Sequence, residues 1–417
     1  MSEILIKGGN RLTGKISVQG AKNSVLPVLA ATVLCGDRCV IHNCPTLSDV
    51  ETSVKIIRNL GCGCEKTGNT VTVDSREITS FEIPDDLMRE MRSSVVFLGA
   101  VIGRMGKAYI SSPGGCELGP RPIDLHLSAL KHMGVTVTEE HGYLHCTAEQ
   151  GLHGAEIHLT FPSVGATENI ILAAATAKGN TTIHNAAKEP EISDLADFLN
   201  SAGARIYGSG SDTIQIYGVE KLHGAEHAII PDRIAAATYM ACAAVTGGKI
   251  TLENVMPPHM VSILWFFKEC GCETEISGKS VTVSAPERLC RVPTVRSLVY
   301  PGFPTDAGPI ALAVLCLAEG TSVFVENIFE NRFRYTDELK RFGAQVKTQG
   351  KIAVVEGRPA LSAADCACTD LRGGAALVIA ALAADGVSTI KEIHHIERGY
   401  DDIVGNLRTL GADIQEQ

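Results

Sequence analysis

The chain has 417 residues, 45% of them hydrophobic, and a formal net charge of −10. That length fits two or three domains with sizeable cores, and the acidic balance excludes broad nucleic-acid binding, which needs a basic face. No apolar run reaches the roughly 18 uncharged residues of a membrane span, and MSEILIKGG lacks the basic-then-apolar form of a secretory signal, so we expect a soluble, cytoplasmic protein with no membrane partner.

In chain order, helical runs begin at Lys22, Arg92, Gly165, Arg233, Asp306 and Arg372, and each ends fourteen positions later at Gly36, Gly106, Gly179, Gly247, Gly320 or Gly386. A second glycine follows each: Gly61, Gly134, Gly203, Gly271, Gly343 and Gly411. The period is about 70 residues, too long for an ordinary solenoid. The unit is clearest in Thr305–Val346. ALAVLCLAEG is apolar all round, as a buried helix is; SVFVENI is a strand; YTDELKRFG is an amphipathic helix; AQVKTQGKIAVVEG is a hairpin. Each repeat therefore reads β-α-β-α-β-β, in an α/β protein of two three-repeat lobes with a boundary near Gly218–Ile230.

The second repeat is the irregular one. Its two glycines are 28 residues apart, against 23 to 25 in the others, and the excess lies in SSPGGCELGPRPIDLHL around Cys116. Long loops in compact domains are often lids or binding loops. Arg121 favours a Cys116 thiolate and Glu117 opposes it. Of the 14 cysteines, Cys62/Cys64, Cys270/Cys272 and Cys366/Cys368 form C-x-C pairs. They lack the C-x-x-C spacing of zinc ribbons and read as small buried hydrophobes, so no metal is expected.

A helix N-terminus presents unpaired N–H groups and partial positive charge, an anion site. Lys22, Arg92, Arg233 and Arg372 add cations where helix stability disfavours them, and Arg121, Arg332 and Arg398 sit in polar loops after strands. Guanidinium groups grip phosphate and carboxylate in two-pronged fashion, so the implied ligand is small and anionic. Asp306 is the one acid at this register, a candidate proton acceptor. Asp232 and Asp370 precede arginines and are expected to orient them.

QGAKN (19–23), MRSS (91–94), PGGCELGPRPIDLHL (113–127), FPSVGATEN (161–169), PDRI (231–234), FPTD (303–306), ENIFENRF (326–333), TDLR (369–372) and HIERGY (395–400) together resemble the enolpyruvyl transferase family of UDP-N-acetylglucosamine 1-carboxyvinyltransferase, over the whole chain. The resemblance implies an inside-out α/β barrel with helices inside and sheets outside. One lobe would be residues 22–230, with a catalytic cysteine loop at about 111–125; the other would join 1–21 to 231–417. It implies transfer of the enolpyruvyl group of phosphoenolpyruvate to the 3-hydroxyl of UDP-N-acetylglucosamine, by addition and elimination, without a cofactor, in the first committed step of peptidoglycan synthesis. Cys116 would be the proton donor and the target of fosfomycin, and Asp306 the base. Lys22, Asn23, Cys116, Arg121, Arg372 and Arg398 would hold phosphoenolpyruvate. Arg92, Arg121, Pro122, Ile123, Asp124, Leu125, Ser163, Val164, Gly165, Asp306 and Ile328 would hold the UDP-sugar. Asp232, Arg233, Arg332 and Asp370 would support them. Ser48 departs from a lysine found in some relatives, and Thr160 and Phe161 replace a more polar pair. The rival activity within the fold is 5-enolpyruvylshikimate-3-phosphate synthase; the rival outside catalysis is a silent UDP-sugar-binding paralogue.

Overall fold

The computed structural model describes residues 3–111 and 123–417, and of Arg92 the backbone alone. The described residues divide into two compact units, one holding 3–19 and 231–417, the other 20–111 and 123–230.

The repeat is plain in residues 294–356. Strand Thr294–Arg296 leads through the turn Thr305–Ala307 and helix Gly308–Leu315 to strand Thr321–Val325. Helix Thr336–Arg341 and the hairpin Gln345–Gln349/Ile352–Glu356 follow. The first two strands pair in parallel and the rest antiparallel, so the fourth strand lies inside the third. Six four-stranded sheets share this order. Their central strands alternate buried residues with half-buried or exposed ones, as one-sided sheets do.

Three of the sheets borrow a strand from far along the chain. Glu226–Ala228 pairs with Arg38–His42, which brings the end of the 20–230 unit back to its start. In the other unit Ile4–Lys7 pairs with both Val387–Lys391 and Asp413–Glu416, and Thr13–Ser17 pairs in parallel with Lys249–Glu253.

Each unit packs three apolar helices together: Lys22–Cys35, Phe97–Met105 and Val164–Ala174 in one, and Arg233–Val245, Gly308–Leu315 and Leu371–Ala383 in the other. Every residue of Gly308–Leu315 is buried, as its all-round apolar sequence requires. The uniform helical run expected from the register is not uniform. The segments at Arg92 and Asp306 open as 3-10 turns, Arg92–Val96 and Thr305–Ala307, before the α-helix sets in. At the second of these Pro309 fits the first helical turn, where its missing N–H loses nothing. All twelve repeat glycines have positive φ. Gly36 and Gly106 cap their helices directly in the left-handed conformation.

The C-x-C cysteines are buried. Burial pushes Cys62 and Cys64 up to about 11, and Cys272 and Cys366 up to about 12. Among the described residues no group of three or more His, Cys, Asp or Glu is placed to hold a metal. No helix among them is long and apolar enough to cross a membrane.

Candidate active site

In the unit of residues 3–19 and 231–417, the carboxylate of Asp306 lies between two buried guanidiniums. Arg332 Nη2 donates to Oδ1 at 3.0 Å and Arg372 Nη2 donates to Oδ2 at 3.4 Å. Both arginines are 3% exposed. Burial pulls the Arg372 pKa down, but Tyr400, Asp306 and Asp232 together hold it above its ordinary value, so the guanidinium stays charged. Its Nε and Nη1, and Nε of Arg332, have no hydrogen-bond acceptor among the described residues. The Tyr400 hydroxyl is a further hydrogen-bond partner of the Arg372 guanidinium.

The aspartates beside the arginines also cap helices. Asp232 accepts from the backbone N–H groups of Ile234 and Ala235, at 2.8 and 3.0 Å. Asp370 accepts from those of Arg372 and Gly373, at 3.0 and 2.9 Å. Both are N-caps. They fix the helix starts that carry Arg233 and Arg372 and offset the cations placed there. The guanidiniums also lie over aromatic rings, Arg233 over Tyr300 at 5.5 Å and Arg372 over Tyr400 at 5.4 Å. Arg398 is half-buried just past the short helix His394–Glu397. Gln19 steadies that neighbourhood: its Nε2 donates to the Gly399 carbonyl at 3.1 Å, and its Oε1 accepts from Asp401 N–H at 2.7 Å. Its own carbonyl accepts from Asp232 N–H at 2.9 Å. Ile328 is half-buried in the loop after Thr321–Val325, its N–H bonded to Glu326.

In the unit of residues 20–111 and 123–230, Lys22 opens its helix, is itself buried, and pairs with Asp49 at 2.8 Å. Asp49 is 1% exposed, in the first turn of Ser48–Asn59 beside exposed Ser48. Asn23 is exposed next to Lys22, while Ser24 turns inward to bond Asp194. Arg92 starts the turn Arg92–Val96. Ile123 and Asp124 begin the helix Asp124–His132, with Leu125 half-buried after them. Ser163 caps Val164–Ala174, its hydroxyl accepting from Ala166 N–H at 3.3 Å. Cys116, Arg121 and Pro122 lie outside the described residues, as does most of the segment 111–125.

Three of the segments expected to hold the UDP-sugar meet at one buried amide. Asn169 Nδ2 donates to the carbonyls of Val95 at 3.1 Å and Gly165 at 3.2 Å and contacts His126 Nδ1 at 2.9 Å. Its Oδ1 accepts from Gly99 N–H at 2.6 Å. Burial pushes His126 down to about 4, so the imidazole is neutral near pH 7 and its Nδ1 can accept. A Cβ on Gly165 would lie 3.0 Å from His126 Cε1, so a larger residue there would have to push the imidazole back by a few tenths of an ångström. Asp49, Asn169, His126 and Gln19 were missed at the sequence level. QGAKN and FPSVGATEN contain Gln19 and Asn169, but no spacing in the chain joins Asn169 to Val95, or Asp49 to Lys22.

The model of the family EPSP synthase (3-phosphoshikimate 1-carboxyvinyltransferase) matches residues 6–407, and the chain belongs to this family of carboxyvinyltransferases. Within it the chain is 50% identical over 414 residues, 99% of each chain, to "UDP-N-acetylglucosamine 1-carboxyvinyltransferase 2" of Caldanaerobacter subterraneus subsp. tengcongensis. It is 45% identical over 418 residues, 100% of this chain and 99% of the other, to "UDP-N-acetylglucosamine 1-carboxyvinyltransferase 1" of Staphylococcus aureus MRSA252. The solved enolpyruvyl transferase NikO of Streptomyces tendae superposes with a TM-score of 0.90 at 26% identity, covering 100% of this chain and 99% of that one. EPSP synthase of Acinetobacter baumannii, at 19% identity and a TM-score of 0.74 over the full length of both, shares the fold.

Proposed function

We propose that this protein transfers the enolpyruvyl group of phosphoenolpyruvate to the 3-hydroxyl of UDP-N-acetylglucosamine and releases phosphate. The observation that carries this reading is near-half identity, over essentially the full length of both chains, to transferases of that name. The first step of peptidoglycan synthesis, in the cytoplasm, is where such an enzyme acts. The finer architecture we propose is a closed inside-out barrel of three repeats in each lobe, 22–230 forming one lobe and 1–21 with 231–417 the other.

In the addition step the sugar O3 attacks C2 of phosphoenolpyruvate. Asp306 takes the O3 proton, and the Cys116 thiol delivers a proton to C3, giving a tetrahedral ketal that keeps its phosphate. In the elimination step the Cys116 thiolate takes a proton back from C3, the double bond re-forms, and phosphate departs with the proton that Asp306 held. Arg332 and Arg372 hold both oxygens of Asp306 in a fixed direction, which is what a general base requires. Lys22, Arg121, Arg372 and Arg398 neutralise the phosphate and carboxylate, stabilising charge where it develops, and Asn23 hydrogen-bonds the intermediate. Arg92, Arg121, Pro122, Ile123, Asp124, Leu125, Ser163, Val164, Gly165 and Ile328 seat the UDP-sugar. Asp232, Arg233 and Asp370 support the helix starts.

Phosphate release tests this directly, with phosphoenolpyruvate plus either UDP-N-acetylglucosamine or shikimate 3-phosphate. Release with the nucleotide sugar alone is expected. Release with shikimate 3-phosphate alone makes the protein the rival synthase, and release with neither makes it a silent UDP-sugar binder. Cys116→Ser should lose most turnover and escape alkylation by fosfomycin; unchanged alkylation moves the reactive thiol elsewhere.

A further inference from the structure

One fully buried acid has no part in the chemistry above. Glu326 is 0% exposed at the end of strand Thr321–Val325. Its Oε1 accepts from Ser297 Oγ at 2.8 Å, Ile328 N–H at 2.7 Å and Phe329 N–H at 3.1 Å; its Oε2 accepts from Thr305 Oγ1 at 2.9 Å. A carboxylate is left in a core when several donors replace its water. The donors here come from three separate segments. Ser297 follows strand Thr294–Arg296 and is tied to Asn327, whose N–H donates to Ser297 Oγ at 2.9 Å. Thr305 opens the turn that carries Asp306. Ile328 and Phe329 form the loop after the strand.

We propose that Glu326 is the positioning residue that sets the distance between the base Asp306 and the sugar contact Ile328, and so the register of the sugar hydroxyl against the base. This rests on the functional reading of those two residues. Thr305 is held at both ends: its hydroxyl by Glu326 and its carbonyl by Arg332 Nη2, at 3.3 Å. Arg332 Nη2 also holds Asp306 Oδ1. Releasing the hydroxyl removes one restraint on the residue immediately before Asp306 and leaves its carbonyl to Arg332 Nη2 and the Gly308 N–H alone. Releasing Oε1 frees the backbone of Ile328. One carboxylate therefore controls both the base and a wall of the acceptor site, which predicts a loss on the sugar side and none on the phosphoenolpyruvate side.

The test compares Glu326→Ala, Glu326→Gln and Thr305→Val with the wild-type full chain, by steady-state kinetics and by calorimetric binding of UDP-N-acetylglucosamine. Glu326→Ala leaves four donors unpaired and should weaken UDP-N-acetylglucosamine by about 10- to 100-fold in KM and in calorimetric Kd, with kcat also reduced. The KM for phosphoenolpyruvate should stay within about threefold. Glu326→Gln should restore most of both losses, because its oxygen can take the place of Oε1 and the Thr305 hydroxyl can turn to accept from the amide. Thr305→Val releases the base side alone and keeps the side-chain volume, so kcat should fall while the KM for the sugar nucleotide holds; it also serves if the alanine variant does not fold. Wild-type constants in folded Glu326→Ala or Thr305→Val protein, or equal rises in both KM values, would overturn the proposal. So would a glutamine variant as impaired as the alanine one. Wild-type turnover in the same assay tests the functional reading separately, and absence of that turnover leaves the calorimetric comparison to decide the role of Glu326.

Discussion

The two units place charge at their central helix starts in different ways. In the unit of residues 231–417, Arg233 and Arg372 are offset at their own helix ends by the N-caps Asp232 and Asp370, and Asp306 meets two guanidiniums. Charges there balance within a residue or two of chain, apart from the longer reach to Asp306. In the unit of residues 20–230, Lys22 draws its partner Asp49 from the next helix, and the expected sugar-binding segments are joined by neutral groups, Asn169 and unprotonated His126. A site for a reacting anion needs fixed charge, which must be balanced on the spot. A site that seats a nucleotide sugar needs fixed shape, and a buried amide with both donors and acceptor engaged supplies that without net charge.

This contrast can be broken most decisively at Asp306, the proposed base. Asp306→Asn should lower kcat by about 10²- to 10⁴-fold, the range of a general base, while the amide oxygen still accepts from Arg332. Asp306→Ala is the less clean variant: both substitutions remove the counter-charge of the two buried arginines, but alanine also removes the side-chain acceptor of Arg332. Normal turnover in the asparagine variant would remove Asp306 as the base. Next comes the partner drawn from a distance. Asp49→Ala should cost about 3–5 kcal/mol in urea unfolding, because it removes a buried counter-charge of Lys22. Asp232→Ala, a lost N-cap, should cost about 1 kcal/mol. Equal losses would erase the distinction between the units.

The neutral hub carries a pH signature. The His126 pKa is pushed down to about 4 from 6.5. Between those values the unfolded chain binds a proton that the folded chain does not. The stability it supports is therefore complete above pH 6.5 and is lost as pH falls toward 4, by about 3 kcal/mol in total. His126→Gln should flatten that limb of an unfolding-against-pH curve, and an unchanged slope would place the sensitivity elsewhere. Asn169→Ala should cost about 1–3 kcal/mol for the groups left unpaired. It should come with a raised KM for the nucleotide sugar and little change for phosphoenolpyruvate; a rise in both would deny it a sugar-side role.

Much of this was legible along the chain. The glycine register located the six apolar helices to within a few residues, because left-handed positions at helix ends favour glycine whatever the surroundings. The 3-10 openings at Arg92 and Asp306 were not legible, since a turn that tightens before an α-helix leaves the hydrophobic period unchanged. The aspartates at 232 and 370 were visible as neighbours of arginines, but an Asp one or two residues ahead of an arginine is equally well placed to pair with the side chain or to cap the helix. Only the backbone conformation at the cap reveals the capping role.

The sequence by itself determined the repeat, the α/β class, the basic helix starts and the family, because these rest on local spacing and on motifs continuous in the chain. The tertiary structure alone decided which carboxylate answers which cation, that Asn169 and Glu326 each join three segments, and that strands at residues 4–7, 13–17 and 226–228 complete sheets begun elsewhere. Hydrogen bonds and ion pairs act over about 3 Å of space, and residues hundreds of positions apart satisfy that range only after the helices have packed.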